Sequence, residues 1–515
     1  MILIMSLWIG SFCQMPPHRI GTLGFMCLWI TVHPSTHSIL IILIFPILYQ
    51  LSLTLFWKKN MLYSVKKVHL IGIGGIGMSG IAELLKNKEF LVSGSDIVDS
   101  PIVQRLINLG INVSIGHSKE NISDAQLVIY SDAIPKNNVE LIEAYSKDIL
   151  VYSRAKMISE IAKLNNSTVA IAGTHGKTTT TSMVGTILKS MNLDPTIIVG
   201  GVIKSLESNS ILGAGDTLVV EADEYNKSLL HLSPTIAVIN NIDFEHIECY
   251  KDIDDLKDTF LQFANSVPFY GTVCVCKDSK NIESIIPKID KRLVTYGIEN
   301  HNVDINAENL NQKDGSTSFD LIVKNQKFLV NLSVPGKYNV YNALAAISVC
   351  ETMGIDIESA CKALGGFSGV KRRFDIKANK DIMIVDDYAH HPVEVQNVIE
   401  AVKNNWKKNL NVIFQPHLFS RTKEFYKDFA KALMNADNVM ITDIFASREK
   451  DDHSINSNLI IDEMLKLNHK NVSYVSSEEI VKKVKSIGVK GDIFLTMGAG
   501  NIWRYAEELG KHYND

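Results

Sequence analysis

The segment Gly173-Thr-His-Gly-Lys-Thr-Thr179 follows the β-branched run Ser167–Ala172 and precedes a helix-like stretch, Thr180 to Met191. Residues of these types at this spacing handle phosphate. Backbone N–H groups of Gly173, Thr174, His175 and Gly176 can cradle the oxygens, and Lys177 can reach the β/γ end. The Thr178 hydroxyl can ligate magnesium, with Thr179 next in the loop. A standard P-loop has about four residues between its glycines. Here the first glycine's position would be Ile171, and only Thr174 and His175 separate Gly173 from Gly176. The chemistry survives that shortening. A nucleotide site also needs an acid for its metal, and Leu218-Val-Val-Glu-Ala-Asp-Glu224 supplies Glu221 behind an apolar run, where it can complete a magnesium site with Thr178. His246 is a further candidate ligand, although a lone histidine is more often structural. Asp223, Glu224 and Glu245 read equally well as solvated loop charges.

A second loop opens earlier. Val68-His-Leu-Ile runs into Gly72, Gly74 and Gly77 in the spacing G-x-G-x-x-G, with Gly75, Met78 and Ser79 in the same entry and a helix-like stretch, Ile81 to Lys88, after it. Glycines let the backbone turn and approach a pyrophosphate, which the next helix meets with its free N–H groups. Asp96 closes the next strand, about twenty residues on, where an acid can hold a ribose. The motif indicates a dinucleotide or a sugar nucleotide and does not choose. Alone it would suggest a nicotinamide dehydrogenase; the phosphate loop and the acids after it argue against that.

These residues need strands and helices behind them. Strand-like runs recur at Phe90–Gly94, Asn112–Ile115 and Leu127–Tyr130, then at Ser167–Ala172, Ile382–Asp387, Asn411–Gln415, Asn438–Asp443 and Asp492–Thr496, with helical patterns between many of them. That alternation predicts an α/β protein with parallel sheets. At 515 residues the chain has room for roughly three domains. We place them at 61–155 (Rossmann-like), 156–368 (central, of P-loop ATPase type) and 369–515 (Rossmann-like again).

Composition narrows the function further. Lys+Arg 52 against Asp+Glu 56 gives a net charge of −4, which disfavours a general nucleic-acid binder. Seven cysteines, with only Cys274 and Cys276 closely spaced, read as free thiols in a reducing compartment rather than a zinc site. The first sixty residues stand apart: Arg19, Lys58 and Lys59 are their only Lys or Arg, and they hold no Asp or Glu. Ser38 to Trp57 is long enough and apolar enough to span a bilayer. An anchor, a processed leader and a start placed too far upstream compete, and the last is favoured because everything after Met61 reads as a soluble enzyme. A membrane partner is expected only if residues 1–60 form a real anchor.

From Val68 to about Glu508 the chain resembles the Mur ligases, which form amide bonds at the expense of ATP in peptidoglycan precursor synthesis. The motifs that carry the resemblance are GIGGIGMSG at 72–80, GTHGKTTT at 173–180, EADE at 221–224, NIDFEH at 241–246 and GKYNVYNALAA at 336–346. They continue with GVKRRFD at 369–375, DDYAHHP at 386–392, FQPHLFSRT at 414–422 and GAGN at 498–501. EADE is similar to the branch that joins L-alanine to UDP-N-acetylmuramate. The alternative is the recycling branch, which attaches a ready-made tripeptide to the same sugar nucleotide. Tyr225-Asn226 stands where Ser-Asp is frequent, Ala389 replaces a glycine, and Leu418 replaces a frequent arginine and is assigned no role.

The resemblance implies ATP and Mg²⁺ as cofactors, a cytoplasmic location, and a monomer or homodimer. It implies that Lys177, Glu221, His246, Arg373 and Asp387 act in catalysis and that Thr178, Glu221 and His246 hold metal. Asn339 and Asn342 lie one turn apart at a helix start, so both can face one ligand or serve as caps; in the family these asparagines face the nucleotide. Arg372 and Arg373 cannot both point one way, and the family match falls on Arg373. His390 and His391 are candidates for orienting the amino acid, and the first loop with Asp96 for the sugar nucleotide. With Lys177 and Glu221 on one domain and Asp387 on another, the site calls for closure about a hinge near Ser368 to Lys371. An open form is expected in which Asp387 stands too far from Lys177 for both to touch one nucleotide.

Overall fold

The protein was analysed as a computed structural model, which describes residues 65–131, 133–163, 165–204, 208–245, 249–447, 449–450 and 454–514. The apolar leader and His246 lie outside them. Among the described residues, no helix is long and apolar enough to cross a membrane. Residues 67–515 form one compact unit containing three sheets.

The first sheet holds β1 (Lys67–Ile71), β2 (Leu91–Asp96), β3 (Asn112–Ile115), β4 (Leu127–Tyr130) and β5 (Leu150–Ser153). All pairs are parallel, in the order β3-β2-β1-β4-β5. The chain order reverses beside β1, which places the first glycine loop at the sheet's switch point, where α/β folds bind ligands.

The second sheet is larger. Its parallel body comprises β6 (Ser167–Ala172), β7 (Thr196–Ile203), β9 (Thr217–Glu221), β10 (Ile236–Ile239), β11 (Thr272–Cys276) and β12 (Arg292–Gly297). Antiparallel β8 (Ser208–Ile211) closes one edge. At the other, β13 (Ile305–Lys313), β14 (Ser316–Val323) and β15 (Gln326–Leu332) extend it, giving the order β15-β14-β13-β12-β11-β10-β6-β9-β7-β8. β6 is central, buried on both faces, and this explains its unbroken run of Val, Ala and Ile. Ile171 on β6 pairs in register with Glu221 on β9, and Ala172 with Ile239 on β10. That register delivers Glu221 and the Asn240–Glu245 segment to either side of the phosphate loop.

The third sheet runs β16 (Asp375–Asn379), β17 (Met383–Asp387), β21 (Ile493–Met497), β18 (Leu410–Phe414), β19 (Asn438–Ile441) and β20 (Val472–Tyr474), parallel except for β16. Two apolar layers sandwich it: one includes Val385, Val412, Phe429 and Leu495, the other Ile384, Ile413, Phe494 and Leu509. The expected hinge segment is pinned to the central sheet, because Lys204 N–H donates to Gly369 O at 3.2 Å and Lys371 N–H to Val202 O at 2.9 Å.

Candidate active site

The phosphate loop turns between β6 and the Lys177–Ser190 helix. Gly176 sits at φ 82°, where a side chain would be strained, and a Cβ there would come within 2.3 Å of Asn342 Oδ1. The helix begins at Lys177, three residues earlier than the apolar pattern suggests, so Lys177, Thr178 and Thr179 belong to its first turn. Their N–H groups have no partner in the preceding turn and form an anion cradle.

Lys177 Nζ donates to Gly173 O at 2.7 Å, Thr174 O at 3.2 Å, and both carboxylate oxygens of Glu224 at 2.9 and 2.7 Å. Burial works against the ammonium, but Glu224 and Asp223 outweigh it and raise its pKa. Glu224 is therefore not a solvated loop charge: it is 1% exposed and is the lysine's counter-ion. Glu221 ends β9, its Oε1 accepts Gly200 N–H at 2.7 Å, and the Thr178 hydroxyl bonds its carboxylate. Burial pushes the Glu221 carboxyl up, against those two hydrogen bonds. A half-buried acid with a hydroxyl beside it, next to an anion cradle, fits a divalent cation.

One cavity of about 660 Å³ joins this loop to the third sheet's elements. Its wall includes Gly176, Thr178 and Thr179 from the loop, Asn339 and Asn342 from the Lys337–Thr352 helix, and Arg373, Asp387 and Glu394. Asp387 thus stands in the same wall as the phosphate loop. The structure holds a closed arrangement, not the open one expected from the division of the site. Both Asp387 oxygens are occupied, Oδ2 by Phe374 N–H at 2.7 Å and Oδ1 by Ala389 N–H at 2.8 Å. Burial raises its carboxyl to about 6, although Arg373 opposes this.

Besides the Lys204–Asp375 ion pair at 2.8 Å, three charged contacts among the described residues cross from the central to the C-terminal elements at the site. His175 Nδ1 lies 3.2 Å from Glu394 Oε1. Its Nε2 lies 3.4 Å from Asp243 Oδ2, an ion pair not aligned as a hydrogen bond. Burial pulls the imidazole down, but Asp243 and Glu394 prevail and hold it up at about 10. Arg421 donates to Glu245 Oε1 at 2.8 Å, with both side chains nearly buried, and so Glu245 too is no solvated charge. His390 Nε2 lies 3.5 Å from the same Glu245 oxygen. Glu394 also faces Arg373 Nη1 at 3.6 Å and accepts His390 N–H at 3.1 Å. Although burial opposes ionisation, His390, His175 and Arg373 together hold Glu394 well below the usual carboxylate range.

His391 differs from its neighbour. It caps the Pro392–Asn405 helix, its ring centroid lies 5.1 Å from that of His175, and burial followed by His175's charge pushes it down to about 4. Arg372 is committed to structure: it bonds Asp386 Oδ2 at 3.3 Å and Gly498 O at 2.6 Å. Arg373 alone of the pair lines the cavity.

The first glycine loop lies outside this cavity. Gly74 N–H donates to Asp96 Oδ2 at 2.8 Å, bringing those two together. Gly72 adopts φ 76°, and Gly75 is exposed at the loop tip. Gly77 packs against Arg154, whose guanidinium lies 3.5 Å from Asp223 of the central sheet. Met78 and Ser79 are buried in the packed face of the Ile76–Asn87 helix.

Glu394, Asp243 and Asn240 escape sequence reasoning, since their roles depend on partners tens to hundreds of residues away. The one available signal was Glu394 following the DDYAHHP run.

A phosphate loop, its lysine and a cavity shared by two sheets define a nucleotide-using α/β enzyme of three domains. Residues 67–166 match the Mur ligase family catalytic domain, 171–350 the Mur ligase middle domain, and 372–500 the Mur ligase glutamate ligase domain. The chain is 44% identical over 448 residues to a UDP-N-acetylmuramate–L-alanine ligase of Geotalea uraniireducens, covering 86% of this chain and 97% of that one. It is also similar in structure to the UDP-N-acetylmuramate-alanine ligase of Thermotoga maritima, at TM-score 0.74 and 30% identity over 87% of this chain and 99% of that one. A murein peptide ligase of Psychrobacter arcticus shares the fold at TM-score 0.67 and 24% identity, over 87% and 99% of the two chains. This chain belongs to the Mur ligase family.

Proposed function

We propose that the chain joins L-alanine to UDP-N-acetylmuramate with conversion of ATP to ADP and phosphate. The observation that carries this reading is the 44% identity, over nearly the whole length of both chains, to a ligase named for that reaction. The geometry agrees with it. A carboxylate does not react with an amine, because its leaving group would be oxide. Transfer of the γ-phosphoryl group to the muramoyl carboxylate gives an acyl phosphate; the alanine amine then adds, and phosphate departs as the amide forms.

Within that scheme Lys177 and the first-turn N–H groups hold the phosphates, and Arg373 faces the spreading charge from the opposite wall. Asn339 and Asn342 take the nucleotide base. Asp387 fixes the Phe374 and Ala389 backbone at the cavity wall. His390 and His391 orient the amino acid, while Gly72, Gly74, Gly75, Gly77 and Asp96 hold the sugar nucleotide. Thr178 and Glu221, with His246, would hold magnesium, which when bound neutralises phosphate charge. We take the domain limits as 61–155, 156–368 and 369–515, and the enzyme as cytoplasmic.

Phosphate release with UDP-N-acetylmuramate tests the reading. L-alanine should support turnover and the tripeptide should not; the reverse result would assign the chain to the recycling branch.

A further inference from the structure

Beneath the phosphate loop runs a chain of buried amides and hydroxyls. Tyr296 Oη lies 3.2 Å from Asn240 Oδ1, and Asn240 Nδ2 lies 3.0 Å from Thr180 Oγ1. Thr180 Oγ1 lies 3.2 Å from Asn342 Oδ1, and Asn342 Nδ2 3.2 Å from Asn339 Oδ1. Asn339 Nδ2 lies 2.7 Å from Pro335 O. Every member is buried: Tyr296 and Thr180 fully, Asn339, Asn342 and Asn240 at 4%, 5% and 7% exposed.

Chemistry fixes the direction of this chain from its far end. A backbone carbonyl only accepts, so the Asn339 group facing Pro335 is the NH₂. Asn339 Oδ1 therefore turns toward Asn342 and accepts from its NH₂. Asn342 Oδ1 must then be met by the Thr180 hydroxyl as donor, which leaves that oxygen to accept from the Asn240 NH₂. Asn240 Oδ1 finally receives the Tyr296 O–H. No member can be flipped without setting donor against donor or acceptor against acceptor in a dry site, where each unmade bond is costly.

Resting on the reading of Asn339 and Asn342 as base contacts, we propose that Thr180, Asn240 and Tyr296 are positioning residues that lock the two asparagine amides and thereby set selection of ATP over GTP. Thr180 and Tyr296 do not line the cavity, whereas Asn240, Asn339 and Asn342 do, so the two hydroxyls act on the base only through the amides. A locked asparagine presents its remaining N–H and oxygen lone pair in one order only. That order of neighbouring donor and acceptor suits the adenine edge, where an amino group adjoins a ring nitrogen, and not the two adjacent acceptors of guanine. Gly176 ties the relay to the phosphate loop, since a Cβ there would meet Asn342 Oδ1 at 2.3 Å and Asn240 Nδ2 at 3.1 Å. Base and phosphate readout are thus set by one network.

The test is a set of full-length variants assayed for phosphate release with ATP and with GTP, at saturating sugar nucleotide and L-alanine. Thr180→Val, which keeps the shape and removes the hydroxyl, should raise KM for ATP about tenfold and lower the ATP:GTP ratio of kcat/KM about tenfold, with kcat changed less than about twofold. Thr180→Ser should restore the wild-type ratio within about twofold. If the valine variant fails to fold, Tyr296→Phe removes only the outer donor and should lower the ratio about threefold. An unchanged ratio in the hydroxyl-lacking variants, an equal fall in Thr180→Ser, or a loss confined to kcat would overturn the proposal. A wild-type enzyme that shows no ATP-dependent turnover would overturn the functional reading instead.

Discussion

The loop after β1 and the loop after β6 both join a buried strand to a helix through glycines, yet their charges are met differently. Asp96 receives the Gly74 N–H from its own domain. The nearest buried acid there, Glu140, is also satisfied locally: it accepts from Ser95 at 2.6 Å, Asn121 at 2.6 Å and the Ser118 N–H at 3.2 Å. In the second loop Lys177 is balanced by Glu224 within the central sheet, but His175 depends on Glu394, 219 residues away on the C-terminal elements. The acid of the first loop is met within its own sheet, although Asn209 and the Arg154–Asp223 pair tie the helix after it to the central elements. The second loop reaches its charge balance only when two sheets are in contact, which suits a site that must exclude water from an acyl phosphate.

The largest expected effect breaks the second loop alone. Lys177→Ala should lower ligase turnover by at least about a thousandfold, because it removes the ammonium that the first helical turn sets beside the phosphates. Calorimetric titration should still find UDP-N-acetylmuramate binding within a fewfold of wild type. Substantial remaining turnover would show that the loop is not the phosphate site; lost sugar-nucleotide binding would show that the two loops are not independent.

Next comes the contact between sheets. Glu394→Gln removes one of the two carboxylates that hold His175 charged, so its pKa should fall from about 10 toward the ordinary histidine range. The wild-type imidazolium, raised above its unfolded value, contributes stability that is complete below about pH 6.5 and lost as the pH rises through about 10. The variant should lose that contribution earlier. We expect an activity deficit that grows from roughly threefold at pH 7 to tens of fold at pH 9. A deficit independent of pH would assign Glu394 a purely structural role.

The strands β3, β4 and β6 were legible in the sequence to the residue, because Val/Ile runs flanked by polar turns leave little choice of register. The helices after the two glycine loops were read too short: Ile81 to Lys88 against Ile76–Asn87, and Thr180 to Met191 against Lys177–Ser190. Their first turns carry glycine, serine and threonine, weak helix formers on propensity, held there by the strand behind and the loop's own turn. Glu224 and Glu245 looked like surface charges for a related reason. An acid next to a strand end is solvated unless a cation comes from elsewhere, and Arg421 is 176 residues from Glu245. Pairing partners that distant leave no local pattern.

A smaller effect tests whether the first domain is self-sufficient. Burial pushes the Glu140 carboxyl up, but His69, Ser95 and Asn121 pull harder and hold it at about 2. His69 Nε2 lies 3.6 Å from the carboxylate and is not aligned as a hydrogen bond. A depressed carboxyl adds stability that is present above about pH 4.5 and lost as the pH falls through about 2. Glu140→Gln should therefore cost about 2–3 kcal/mol at pH 7, measured by urea unfolding, and close to nothing at pH 2. A constant penalty across that range would mean that shape, not charge, is what Glu140 supplies.

The smallest expected effect probes Asp96. Its two oxygens accept Gly74 N–H at 2.8 Å and Val98 N–H at 3.1 Å. Asparagine keeps one acceptor oxygen and sets an NH₂ against the other backbone donor, so Asp96→Asn should forfeit one hydrogen bond, about 1 kcal/mol. If the first loop holds the sugar nucleotide, that loss should appear as a fivefold to tenfold rise in KM for UDP-N-acetylmuramate, roughly the same energy in kinetic form. The KM for ATP should stay within about twofold, because Asp96 lies outside the cavity that holds Gly176 and Asn339. The two KM values together decide the matter. A rise in both would mean that the Arg154–Asp223 contact transmits strain from the first loop to the second, and the division of labour between the loops would fail.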